Sequence, residues 1–115
     1  MTTIRLLLNS GFTGANAFLA IAQAQGIFQA AGLDVEFTPG RGAYTAAQRL
    51  ADEGFDAAYG DVNALIELAA QHPQDDLPKA VLMVHQQTPA VISVARAGTI
   101  QRASDLQGLD RKSVV

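Results

Sequence analysis

A chain of 115 residues with 49% apolar and 17% charged residues suits one domain with a sizeable core and is too apolar for bulk disorder. A net charge of −3 and a pI near 5.1, with no basic run, argue against a nucleic-acid partner, whose footprint needs clustered Lys and Arg. Without cysteine there can be no disulfide, no Cys-ligated zinc and no Cys nucleophile, and the redox compartment stays open.

No apolar run approaches the length of a membrane span. Residues 1–8 are short and lack the small-residue cleavage site of a signal peptide. That leaves open a periplasmic or extracytoplasmic protein whose signal is not in this chain, and a cytoplasmic one.

In chain order, residues 4–8 read as a short buried strand closed by Asn9, Ser10 and Gly11. Thr13 is the expected cap of a helix running to about Ala24, which Gly26 breaks. Residues 27–31 give one more turn, and Gly32 suits the position after a helix end. Residues 33–38 alternate Leu, Val and Phe with Asp and Glu, a strand with one wetter face. Residues 39–42 are a loop by composition. Tyr44, Ala47, Leu50 and Ala51 form the next helical stripe, ended by Gly54, and residues 55–59 are a third strand. Asp61 caps a helix carrying Val62, Leu65, Ile66 and Ala69, stopped at His72 and Pro73. Residues 80–85 and 90–95 read as two further strands. The chain turns polar from Gly98, with a helical turn predicted at Ser104, Asp105 and Leu106.

Alternating strands and helices imply parallel pairing with right-handed crossovers, the first strand central. In such an open sheet ligands bind beyond the carboxyl ends of the strands. Four loops are selected on that ground: residues 9–13, 40–44, 60–63 and 85–88. A helix start supplies unpaired N–H groups and about half a positive charge, and glycine admits a ligand close to the backbone. Arg41 between Gly40 and Gly42 suits an anion or a carbonyl; equally, it suits a tight turn with an exposed Arg. Asp61 is first a helix cap. Phe12 and Tyr44 serve as core aromatics or as faces for a flat ring. His72 reads as a surface helix end, and His85 as structural or ligand-lining. Walker and dinucleotide glycine patterns are absent, and so are metal spacing and a nucleophile elbow. No cofactor or metal is called for, and nothing demands an enzyme.

Two stretches resemble a known family. Residues 20–36, AIAQAQGIFQAAGLDVE, are similar to the A-x-x-x-G-x-F-x-x-x-G-L-D-V-E segment of NMT1/THI5-like and SsuA/TauA-like solute-binding proteins. Residues 43–61, AYTAAQRLADEGFDAAYGD, resemble the helix and third strand that follow it there. Residues 103–108, ASDLQG, are similar to the turn before the crossing into a second lobe, with Leu109 and Asp110 lengthening it.

The resemblance implies a type II periplasmic-binding-protein-like lobe, a three-layer αβα unit with a mainly parallel sheet. It places lobe I at residues 1–97 and the connection at 98–115, with the second lobe missing. The implied role is the extracytoplasmic solute-binding component of an ABC importer, partnered by a membrane permease. The solute classes are alkanesulfonates, nitrate and aminopyrimidine thiamin precursors. The site residues it implies are Ser10, Phe12, Thr13, Gly40, Arg41, Gly42, Tyr44, Gly60, Asp61, Asn63, His85 and Gln86. A lone lobe, with its strand edge and cleft face exposed, is expected either to self-associate or to be covered by further chain. The rival readings are a pyrimidine synthase of the fungal THI5 type, whose cysteine cluster cannot exist here, and a cytoplasmic ligand-sensing domain.

Overall fold

The computed structural model describes residues 1–87 and 100–108. Two compact units divide the chain, Met1–Leu82 and Met83–Val115. The first runs β1 (Thr2–Leu7), α1 (Ala17–Ala24), α2 (Ile27–Ala30), β2 (Leu33–Thr38), α3 (Ala43–Asp52), β3 (Ala57–Ala58) and α4 (Val62–Gln71). In the second, a 3-10 turn at Ala103–Leu106 forms where Ser104, Asp105 and Leu106 predict one; the Asp105 carboxylate accepts the N–H groups of Gln101 and Arg102.

The sheet is β2-β1-β3, parallel throughout, with the first strand central as the alternation predicts. Ile4 pairs with Val35 and Leu7 with Thr38 on one side, Leu6 with Ala57 and Leu7 with Ala58 on the other. The third strand is shorter than predicted. Its ladder is extended by Asp56 N–H to Arg5 O (3.0 Å) and Tyr59 N–H to Leu7 O (2.8 Å). With its flanking helices, this small sheet is a partial αβα lobe.

The carboxyl end of the central β1 leads into the best-sealed apolar side chains. Leu7 and the adjoining Leu8 are sealed, with Val35 of β2, Ala46 of α3, and Ala64 and Leu68 of α4 completing the core. Each sealed leucine contributes about 1.5–3 kcal/mol relative to exposure. The alanines let α3 and α4 pack closely. Gly26, Gly32 and Gly54, read as helix stops, all hold positive φ, at 70°, 76° and 70°.

Two sequence expectations fail. Residues 80–85 form no strand, although Val81, Leu82, Met83 and Val84 have strong strand propensity. A strand exists only where a neighbour completes its hydrogen bonds; among the described residues none does, and Val81 is 95% exposed. Thr13 does not cap α1. Its N–H is taken by the Asn16 side chain, a turn fills residues 14–16, and the helix begins at Ala17. The strand expected at residues 90–95 lies outside the described residues.

Candidate functional site

Three of the four selected loops follow β1, β2 and β3 at the carboxyl edge of the sheet, and backbone hydrogen bonds tie them together. Gly40 N–H donates to Ser10 O (3.0 Å) and Gly42 N–H to Asn9 O (2.7 Å), joining the second loop to the first. Asp61 N–H donates to Ala43 O (3.3 Å), joining the third to the second. Tyr59, at the end of the third strand, donates its hydroxyl to Ala15 O (3.4 Å) and sets its ring 6.1 Å from that of Phe18.

Gly40 is required by space. A Cβ there would stand 1.8 Å from Leu8 O and 2.7 Å from Asn9 O. Gly42 is required by conformation, because φ is 104° where the loop turns into α3. Among the described residues no acceptor sits on the N–H groups of Ala43 and Tyr44, the first two residues of α3. They are the unpaired donors of a helix start, beside the point where the three loops meet.

The named side chains divide. Ser10 turns its hydroxyl to Gly11 O (3.3 Å), and Thr13 is held through its backbone. Phe12 is half exposed, edge-on to Phe37 with ring centroids 5.3 Å apart. Asp61 caps α4 as predicted, accepting Asn63 N–H at 2.8 Å. A Cβ on Gly60 would stand 2.8 Å from the Ala46 methyl, so the third loop lies against α3.

Tyr44 is 61% exposed and donates its hydroxyl to Glu67 of α4. That hydrogen bond, together with the Glu67 charge, raises its pKa above the usual tyrosine value. Tyr44 is thus no core aromatic.

Arg41 lines an open groove of about 430 Å³ along α3 with Tyr44, Thr45, Gln48, Arg49 and Glu53. Arg49 forks onto Glu53 (2.9–3.1 Å) and lies 5.7 Å from the Phe55 ring centroid. The Glu53 carboxyl is held below its usual value by that fork first, with Arg41 a smaller influence. His85 and Gln86 belong to the second unit and are exposed there, in irregular chain rather than at the end of a strand.

Asn16 and Tyr59 do as much as any of these and were not singled out in the sequence, where Asn9 was read only as a turn residue opening the first loop. Asn16 is fully buried. Its Oδ1 accepts Thr13 N–H (2.7 Å), and its Nδ2 donates to Asn9 Oδ1 (3.0 Å) and to Gly11 O (3.1 Å). Spacing offered one signal: two asparagines bracket a glycine-containing loop straight after a strand.

Against this geometry, the model of the NMT1/THI5-like family matches residues 14–111. The chain belongs to the NMT1/THI5-like family. Searches of the curated proteins and of the solved structures return no match. The family match begins in the turn before α1 and spans the second and third loops, so most of the rim lies within it. Membership is consistent with a solute-binding protein, in agreement with the resemblance of residues 20–36 and 43–61.

Proposed function

We propose that the chain is a lobe of the solute-binding component of an ABC importer, working outside the cytoplasm and delivering a small organic solute to a membrane permease. The observation that carries this reading is the rim. Three loops at the carboxyl edge of a parallel sheet are tied by backbone hydrogen bonds beside open N–H donors. Such an edge is where open α/β sheets take ligands. Family membership supports binding over chemistry.

The solute's polar group sits on the Ala43 and Tyr44 N–H groups at the start of α3, with Arg41 contributing charge. Phe12 offers an apolar edge to the rest of the solute. Alkanesulfonates, nitrate and aminopyrimidines are the classes to try. The described loops form one wall, and tight enclosure calls for a facing lobe.

Calorimetric titration of the chain with each class tests the reading. An anionic solute predicts that Arg41→Ala weakens binding by about 1.5–3 kcal/mol, the scale of a charge-assisted hydrogen bond, and that added salt weakens it further. Retained binding in Arg41→Ala with loss in Asp61→Ala would reject the anion and point to a neutral or cationic ring. No saturable binding of any class would reject the solute-binding role.

A further inference from the structure

Asn16 is the buried polar residue of the first unit, and the three hydrogen-bond partners of its side chain all belong to the loop after β1. A carboxamide has two donors and two acceptor lone pairs; three of these four are used within residues 9–13. The amide therefore fixes the loop at its beginning, middle and end. A buried amide with lost partners costs more than an apolar side chain of the same shape, so it is a demanding choice for stability alone.

What the loop does in that shape extends beyond itself. Two of its carbonyls, on Asn9 and Ser10, receive Gly42 N–H and Gly40 N–H. Those bonds set the course of the loop after β2 immediately before α3 begins. The course continues through Thr45 Oγ1 donating to Gly42 O (3.1 Å) and Asp61 N–H donating to Ala43 O (3.3 Å). Asn16 thus stands at the base of a hydrogen-bonded series that reaches all three loops and the first turn of α3.

We propose that Asn16 is the positioning residue of the solute rim: through Asn9, Gly11 and Thr13 it holds the first loop so that its carbonyls clamp the second. That clamp fixes where the Ala43 and Tyr44 N–H groups are presented. The inference rests on the rim being the solute site. It requires no contact between Asn16 and the solute, and the amide is sealed from it. Asn9 is the second member of the device, since its side chain meets Asn16 while its own carbonyl carries Gly42.

Amide hydrogen exchange on the full chain, read residue by residue by NMR with no solute present, tests the device separately from the solute-binding reading. Asn16→Ala should speed exchange at Gly40 and Gly42 by about fivefold to tenfold beyond the change at core-ladder amides, the effect of losing about one hydrogen bond's worth of local protection. Leu68→Ala, which removes a buried apolar side chain of α4 and none of these hydrogen bonds, supplies the comparison: it should lower protection evenly. Asn9→Ala, which removes one link and leaves the carbonyl to Gly42 in place, should produce the same local pattern at smaller size. If Asn16→Ala does not fold, Asn9→Ala decides alone. An even loss of protection like that of Leu68→Ala, or unchanged exchange at both glycines, would overturn the proposal and leave Asn16 a plain packing residue.

Discussion

Gly40→Ala puts the junction of the first two loops under direct test. The new methyl would lie 1.8 Å from Leu8 O and 2.7 Å from the carbonyl carbon and oxygen of Asn9, all backbone atoms with no rotamer to escape into. Either β1 and the loop after β2 separate by more than an ångström, or the loop detaches. Overpacking of this kind costs about 1–3 kcal/mol. Separation also weakens Gly40 N–H to Ser10 O and Leu8 N–H to Thr38 O, at about 1 kcal/mol each. Because weakening these bonds relieves the clash, the two costs overlap, and a loss of about 2–4 kcal/mol is expected. With a urea m-value of about 1–1.5 kcal/mol per molar, the midpoint falls by about 1.3–4 M. Urea unfolding followed by far-ultraviolet circular dichroism measures it. Gly11→Ala, with nothing within 4 Å of the added carbon, is the control and should stay within about 0.5 kcal/mol of the parent. A Gly40→Ala variant as stable as that control would refute the close approach of the loops.

Three other outcomes follow from the same geometry. Asp61→Ala should destabilise by about 1 kcal/mol through loss of the α4 cap, and Asp61→Ser should restore most of it in the same urea assay. Leu7→Ala, at a sealed position of the central strand, should cost about 2–5 kcal/mol and lower the melting temperature more than any surface change. Asp56 accepts Arg5 N–H at 2.8 Å, which with the Arg5 charge holds its carboxyl below the usual aspartate value. The stabilisation it supplies is therefore present above that usual value and is lost as pH falls through the lower folded one. Asp56→Asn should accordingly flatten the acid side of a stability–pH curve and leave the neutral side with the same slope.

The three parallel strands were legible in the sequence because each of their apolar runs ends at a turn-forming residue and each helix between them ends at a glycine. Gly32 and Gly54 take the left-handed backbone that this reading needs. Asp61 was legible as a cap because its side chain acts two residues away. Val81 to Val84 misled, because strand propensity describes a side chain's fit to a sheet while pairing depends on a partner elsewhere in the chain. Thr13 misled because a turn over residues 14–16 intervenes and α1 starts only at Ala17, and such a turn leaves no trace in periodicity. The rim was found through backbone rules, by strand ends and helix starts. Its side-chain support was not, since the burial of Asn16 and the meeting of Asn9 with it depend on how the loop closes. Tyr44 and Arg41 sat in the right loop, but the Tyr44 hydroxyl answers to Glu67 of α4, a contact between separate elements, and Arg41 lines the groove along α3.

Amide chemical-shift mapping of the chain titrated with an alkanesulfonate, nitrate and an aminopyrimidine tests the solute-binding account most directly, since it reads even weak binding residue by residue. The account predicts that one of these solutes moves the amides of residues 9–13, 40–45 and 60–63 together along a single saturable curve, Ala43 and Tyr44 among the largest. Saturable shifts confined to other surfaces, or flat titrations with all three, would contradict it.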